Sequence, residues 1–200
     1  MLILALPLAC SGGLTQAEEH SNAGILLARE ELFEEAIAEY DEAIRLNPQL
    51  AGVYSNRGLS YDSLGRYEQA YEDHSEAIRL DPQFAAAYKN RGKTSIDQRQ
   101  YEQAIQDLDE AIRLDPLDSE AYNNRGVAYS GLGEHDRAIN DYDEAIRLDP
   151  EFAVAFVNRA IKYALLGKDV MAQKDVDRAV ELGHDREELE MGIEEIQDQR

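Results

Sequence analysis

One period governs this chain. The dipeptides Asn47-Pro48, Asp81-Pro82, Asp115-Pro116 and Asp149-Pro150 stand thirty-four residues apart, the steps between 48, 82, 116 and 150 being equal. Between them the same words return in phase: VYSNRGLSY, AYKNRGKTS, AYNNRGVAY and AFVNRAIKY, the first three each followed by EAIRLDP. Self-similarity at such a period marks stacked units that bury their apolar faces against one another, rather than one closed globule. A length of 200 residues therefore counts units, not domains.

A single unit reads as two helices. In 85–118, Ala87, Tyr88, Arg91, Gly92 and Ser95 share one face at spacings of three and four, as a packed helix requires. Ala104, Ile105, Leu108, Ala111, Ile112 and Leu114 draw a second stripe of helical period. Two helices of roughly fourteen residues joined by a short turn form an antiparallel hairpin. Gly65, Gly133 and Gly167 mark that turn in three other units, where a helix end calls for a left-handed residue. Gly58, Gly92 and Gly126 recur in the first helix and Ala70, Ala104 and Ala138 in the second. Helical Gly costs about 0.5–1 kcal/mol relative to Ala, so its recurrence predicts close helix approach. Asp115-Pro116 reads as an N-cap followed by the first residue of the next helix.

These residues carry a resemblance. A thirty-four-residue helical hairpin with an early aromatic, Gly four residues later, Ala in the second helix and a closing Pro resembles the tetratricopeptide repeat (TPR), in an Asn-Arg-Gly variant similar to bacterial TPR proteins. The resemblance implies an all-α fold, a right-handed TPR superhelix (α-solenoid) of five repeats at 17–50, 51–84, 85–118, 119–152 and 153–186. The end units depart from the pattern, with His20 and Ala23 in the first and Ala160 and His184 in the fifth. End units of arrays are commonly atypical. Leu189, Ile193 and Ile196 share a stripe that predicts a C-terminal capping helix over 187–200, a disordered acidic tail being the alternative.

The resemblance also implies a concave groove lined by the first helices, where peptides or partner helices bind. Every unit has Asn at its sixth position: Asn22, Asn56, Asn90, Asn124 and Asn158. A ladder of amides can pair with the backbone of an extended peptide, or it can join neighbouring helices; both readings are open. Groove positions are otherwise apolar or neutral, as at Ile25, Leu59, Val127 and Ile161. The carboxylate clamp of some TPR cochaperones is not matched: Lys89 and Lys93 precede Asn124, but Val154 and Asn158 stand where both basic residues should follow. Lys89 and Lys93 remain candidate groove cations. Arg57, Arg91, Arg125 and Arg159 are expected to pair with Asp73, Asp107, Asp141 and Asp175 of the same unit.

Charge narrows the partners. Forty-one acidic residues against twenty basic give a net charge of −21, the reverse of the basic footprint a nucleic-acid binder needs. Other proteins are the expected partners. His20, His74, His135 and His184 are scattered, with no zinc-site spacing. His74 takes a core position that is Tyr40, Leu108 or Tyr142 elsewhere. No phosphate loop or nucleophile turn stands out. Asp109 with Arg113 and Asp143 with Arg147 read as i,i+4 helix pairs rather than calcium loops. The expectation is a chain without catalytic residues, metal or cofactor, and a monomer.

Residues 1–16 stand apart from the period. MLILALPLAC is too short to span a bilayer, but it fits the apolar part of an export signal ending at Ala9. It resembles a bacterial lipoprotein signal with Cys10 as the lipidated residue, although Pro7 occupies the position where that family prefers Leu and no basic residue precedes the run. The resemblance implies a lipid-anchored envelope protein that recruits other proteins. Two alternatives stand beside it: a cytoplasmic scaffold or chaperone-like assembly factor, and a non-catalytic subunit of an enzyme complex.

Overall fold

The computed structural model describes residues 14–199; Cys10 and most of the N-terminal signal-like segment lie outside them. The described residues form eleven helices and no strand: α1 (Gln16–Arg29), α2 (Phe33–Leu46), α3 (Ala51–Ser63), α4 (Tyr67–Leu80), α5 (Ala85–Asp97), α6 (Tyr101–Leu114), α7 (Ser119–Gly131), α8 (His135–Leu148), α9 (Ala153–Leu165), α10 (Asp169–Glu181) and α11 (Arg186–Asp198). Helices pair in sequence as five antiparallel hairpins, each second helix then packing on the first helix of the next unit. The chain is the all-α solenoid that its period predicts.

A knob-and-socket contact holds each hairpin. Gly24, Gly58, Gly92 and Gly126 receive Tyr40, His74, Leu108 and Tyr142 so closely that an added Cβ would lie 2.5, 2.6, 2.8 and 2.6 Å from those side chains. In the fifth unit the knob shrinks to Val176 and the socket residue is Ala160, both buried. That pairing explains why the last unit dispenses with Gly. Ala36, Ala70, Ala104, Ala138 and Ala172 are fully buried in the second helices, consistent with close helix approach.

The hairpin turns need a left-handed residue. Gly65, Gly133 and Gly167 supply φ near +70, at 70°, 76° and 72°, while Glu31 and Arg99 hold φ of 60° at the same place, a region unfavourable to a residue with a Cβ. The junctions between units correct one expectation. Asn47, Asp81, Asp115 and Asp149 are not N-caps; they end the preceding helix in extended backbone. Their Oδ1 atoms accept the N–H of Gln49, Gln83, Leu117 and Glu151 at 3.1, 2.9, 3.1 and 3.0 Å. The next helix begins four residues on, at Ala51, Ala85, Ser119 and Ala153, so Pro sits inside the Asx turn rather than at the first helical position. The competing physics is local: a short Asp side chain bonds the backbone two residues ahead before a helix can start there.

The ends are finished differently. Thr15 and Glu18 form a reciprocal capping box on α1, with bonds of 2.7 and 3.3 Å. Asp185 caps α11 by accepting the Glu188 N–H at 2.9 Å. Leu189, Ile193 and Ile196 of α11 pack against Ile161, Val176 and Val180 of the last hairpin.

Candidate groove of the first helices

Successive first helices touch one another along the array, α1 on α3, α3 on α5, α5 on α7 and α7 on α9. Their shared face carries the Asn ladder. The ladder is not uniform. The Asn90 amide donates to Ser55 Oγ of the preceding first helix at 3.2 Å. Asn158 donates to Asn123 Oδ1 at 2.9 Å, again across a unit boundary. These two side chains are struts between helices. Asn124 only accepts a long bond of 3.5 Å from Asn123, and the side-chain amides of Asn22 and Asn56 have no partner among the described residues.

Asn56 is the best placed of the free amides. It lines a pocket of about 280 Å³ between α1 and α3, with Ile25, Ala28, Phe33 and Leu59 supplying apolar wall and Arg29 its edge. Leu59 is 40% exposed there, an uncovered apolar side chain next to an amide with its hydrogen-bonding capacity unspent. The second half of the face is apolar too, with Val154 and Leu165 exposed on α9. The two candidate cations are committed to acids. Lys89 reaches Asp118 at 2.8 Å and Glu120 at 2.6 Å, stapling α5 to the start of the next unit; Lys93 pairs with Asp97 at 3.0 Å on its own helix.

The expected Arg–Asp pairs form in four units. Arg57, Arg91, Arg125 and Arg159 each fork onto Asp73, Asp107, Asp141 and Asp175 with two bonds between 2.6 and 2.9 Å. Each guanidinium then uses its third nitrogen on the unit before: Arg57 on Asp41, Arg125 on Asp109 at 2.7 Å, Arg159 on Asp143 at 2.5 Å, and Arg91 on the hydroxyl of Ser75 at 3.1 Å. Aromatic rings flank the cation, as with Tyr122 and Tyr129 about Arg125 at 5.5 and 5.9 Å. The hydrogen bonds that Asp141 accepts, with burial opposing, raise the Arg125 guanidinium above its ordinary value. In the first unit, where Arg is absent, His20 Nδ1 meets Glu39 at 2.6 Å instead.

This network overturns one sequence expectation. Asp109 and Asp143 do not pair with Arg113 and Arg147. Those arginines fork onto Glu110 and Glu144, three residues earlier, each with bonds of 2.8 and 2.6 Å. The longer Glu side chain reaches the fork in a bidentate geometry, which leaves the Asp free to serve the next unit. The one trace of the outer partner in the sequence is an interval, since Arg57, Arg125 and Arg159 each stand sixteen residues from both of their carboxylates.

Inside the array, His74 is fully buried, its Nε2 3.3 Å from Asp62. Thr94 donates to the same carboxylate at 2.9 Å. The position is a packed core, as the comparison with Tyr40 and Tyr142 suggests. No group of three or more His, Cys, Asp or Glu suited to a metal ion occurs among the described residues.

Comparison with known proteins agrees with this geometry. A family model of the tetratricopeptide repeat matches residues 51–84 and 119–152, and a TPR repeat model matches 26–64 and 96–133. A crystal structure of MamA is 28% identical and superposes with a TM-score of 0.69 over 80% of this chain and 93% of that one. YrrB, described as a TPR protein with an unusual peptide-binding site, is 25% identical with a TM-score of 0.67, over 88% and 91%. PilF of Pseudomonas aeruginosa, at 20% identity, shares the fold with a TM-score of 0.78 over 85% of this chain and 78% of that one. Among curated proteins, the Hsp70-Hsp90 organizing protein of Triticum aestivum is 45% identical over 49 residues. That match covers 24% of this chain and 8% of the wheat protein.

Proposed function

The chain belongs to the tetratricopeptide repeat family, and from that premise we propose that it is a non-catalytic scaffold that binds a segment of another protein along the first-helix face. The observation that carries the reading is the α1–α3 pocket. An unpartnered Asn56 amide beside the exposed Leu59 and the walls of Ile25 and Phe33 can hold a peptide backbone while an apolar side chain enters. Asn124 offers a second such amide two units on. Asn90 and Asn158 are excluded from this role, because their amides already tie neighbouring helices. YrrB, a relative whose description names a peptide-binding site, supports the class of ligand.

The test is affinity purification on the wild-type chain and on two variants. Leu59→Glu should lose the bound proteins, whereas Glu102→Gln, on the exposed side of α6, should keep them. Partners retained by Leu59→Glu would remove the proposal.

The address of the protein is a separate proposal. MLILALPLAC supports lipid attachment at Cys10 and an envelope-facing adaptor joined to the membrane by the short Ser11-Gly12-Gly13 segment. Metabolic labelling with palmitate should mark the wild type and not Cys10→Ser. Label that persists in the variant contradicts attachment at Cys10, and a wild type that takes up no label favours the cytoplasmic reading.

A further inference from the structure

The last pair of neighbouring first helices is built unlike the others. In two of the earlier pairs a side chain bridges the gap, Asn90 to Ser55 and Asn158 to Asn123. Between α9 and α11 the same two positions hold Val157 and Gly192, an apolar side chain facing bare backbone. A Cβ added to Gly192 would meet nothing within 4 Å. α11 also leans more on α9 than on α10, whereas α3, α5, α7 and α9 each lean more on the preceding second helix than on the preceding first helix. The outcome is an open crevice of about 370 Å³, walled by Val157, Ile161, Leu189, Ile193 and Ile196.

Its rim is acidic. Glu188 and Glu195 both border the crevice, two turns apart on α11, about 10 Å at the helical rise. Neither carboxylate has a hydrogen bond or ion pair among the described residues. The only cation of α11, Arg186, is engaged by Asp177 and Glu190, each at 2.8 Å. A chain of net charge −21 repels acidic segments over a distance and draws basic ones.

We infer that this crevice binds a basic amphipathic segment of a partner protein, which inserts a large apolar side chain beside Gly192 and sets Lys or Arg against Glu188 and Glu195. The pocket supplies an apolar contact with no residue of its own to displace. The two carboxylates fix the sign of the partner and orient it along α11. The site stands independently of Asn56, so its failure would leave the α1–α3 reading intact.

Calorimetric titration of the full chain with a synthetic Leu/Lys amphipathic helix, and with its Leu/Glu counterpart, tests the inference. The Leu/Lys peptide should bind and the Leu/Glu peptide should not. Gly192→Leu fills the crevice at unchanged charge, and should weaken binding about tenfold or more without lowering the melting temperature. Glu188→Gln with Glu195→Gln, both on exposed residues that the fold does not use, should weaken it and flatten its salt dependence. Binding of the Leu/Lys peptide that stays within about twofold in both variants, or equal binding of the Leu/Glu peptide, would overturn the site.

Discussion

Arg125 spends two nitrogens on Asp141 and a third on Asp109, and the two carboxylates are not equivalent. Asp141 is 9% exposed and Asp109 54%. Removing Asp141 strands a largely buried guanidinium, so Asp141→Ala should cost about 3 kcal/mol. Asp109→Ala should cost at most about 1 kcal/mol, the range of exposed pairs. A double-mutant cycle on Arg125 and Asp141 by urea unfolding checks both; absence of coupling would remove the staple. The sequence showed the inner carboxylate of each pair, because it lies in the same unit. It did not show the outer one, because Asp109 also stands four residues from Arg113 and local spacing offered a plausible wrong partner. Lys162 gives a second prediction at this scale. It has no ion pair among the described residues, and burial lowers its pKa below 10.5. A lysine whose folded pKa is depressed opposes folding while charged, and that opposition fades as pH rises through its folded value. Lys162→Met should therefore raise the melting temperature at neutral pH, and its advantage should shrink as pH approaches 10.5. Thermal melts across that range check the sign.

Glycine carries two different meanings in the helices of this array. Gly126 is a socket: a Cβ there would lie 2.6 Å from the Tyr142 ring, so Gly126→Ala should destabilise by about 1–3 kcal/mol. Gly192 is bare helix surface beside the crevice, and Gly192→Ala should stabilise by about 0.5–1 kcal/mol. Denaturant melts of the two variants should move in opposite directions; a shared direction would contradict the packing described. The sockets were legible as recurring small residues, and the hairpins as two stripes of helical period. The turn between α5 and α6 was less so, since Arg99 takes φ of 60° where three other units use Gly. Arg99→Gly should raise stability by up to about 1 kcal/mol in the same assay. The junction caps were misread because Asp before Pro satisfies an N-cap rule as well as an Asx turn. Only the backbone N–H two residues ahead distinguishes them.

Across the whole molecule, repetition made the architecture legible and hid the site. Five units with one pattern determine an α-solenoid whichever unit is read. The binding face depends on where the pattern is broken. The five Asn look alike in sequence, but their roles divide: Ser55 and Asn123, thirty-five positions earlier, accept a bond from Asn90 and Asn158, whereas Lys89 turns away from Asn124 to two acids, and Asn56 makes no bond to Ser21 at the same interval. The groove therefore mixes struts and free amides, and it ends at Gly192 in an unfilled crevice. The most direct test of this account is a ¹⁵N spectrum of the chain with and without a partner recovered through the Leu59-dependent purification. The account predicts that the side-chain amides of Asn56 and Asn124 shift while those of Asn90 and Asn158 hold, with backbone changes gathered on α1, α3, α5, α7 and α9. Shifts confined to α2, α4, α6, α8 and α10 would place the partner on the opposite face and contradict it.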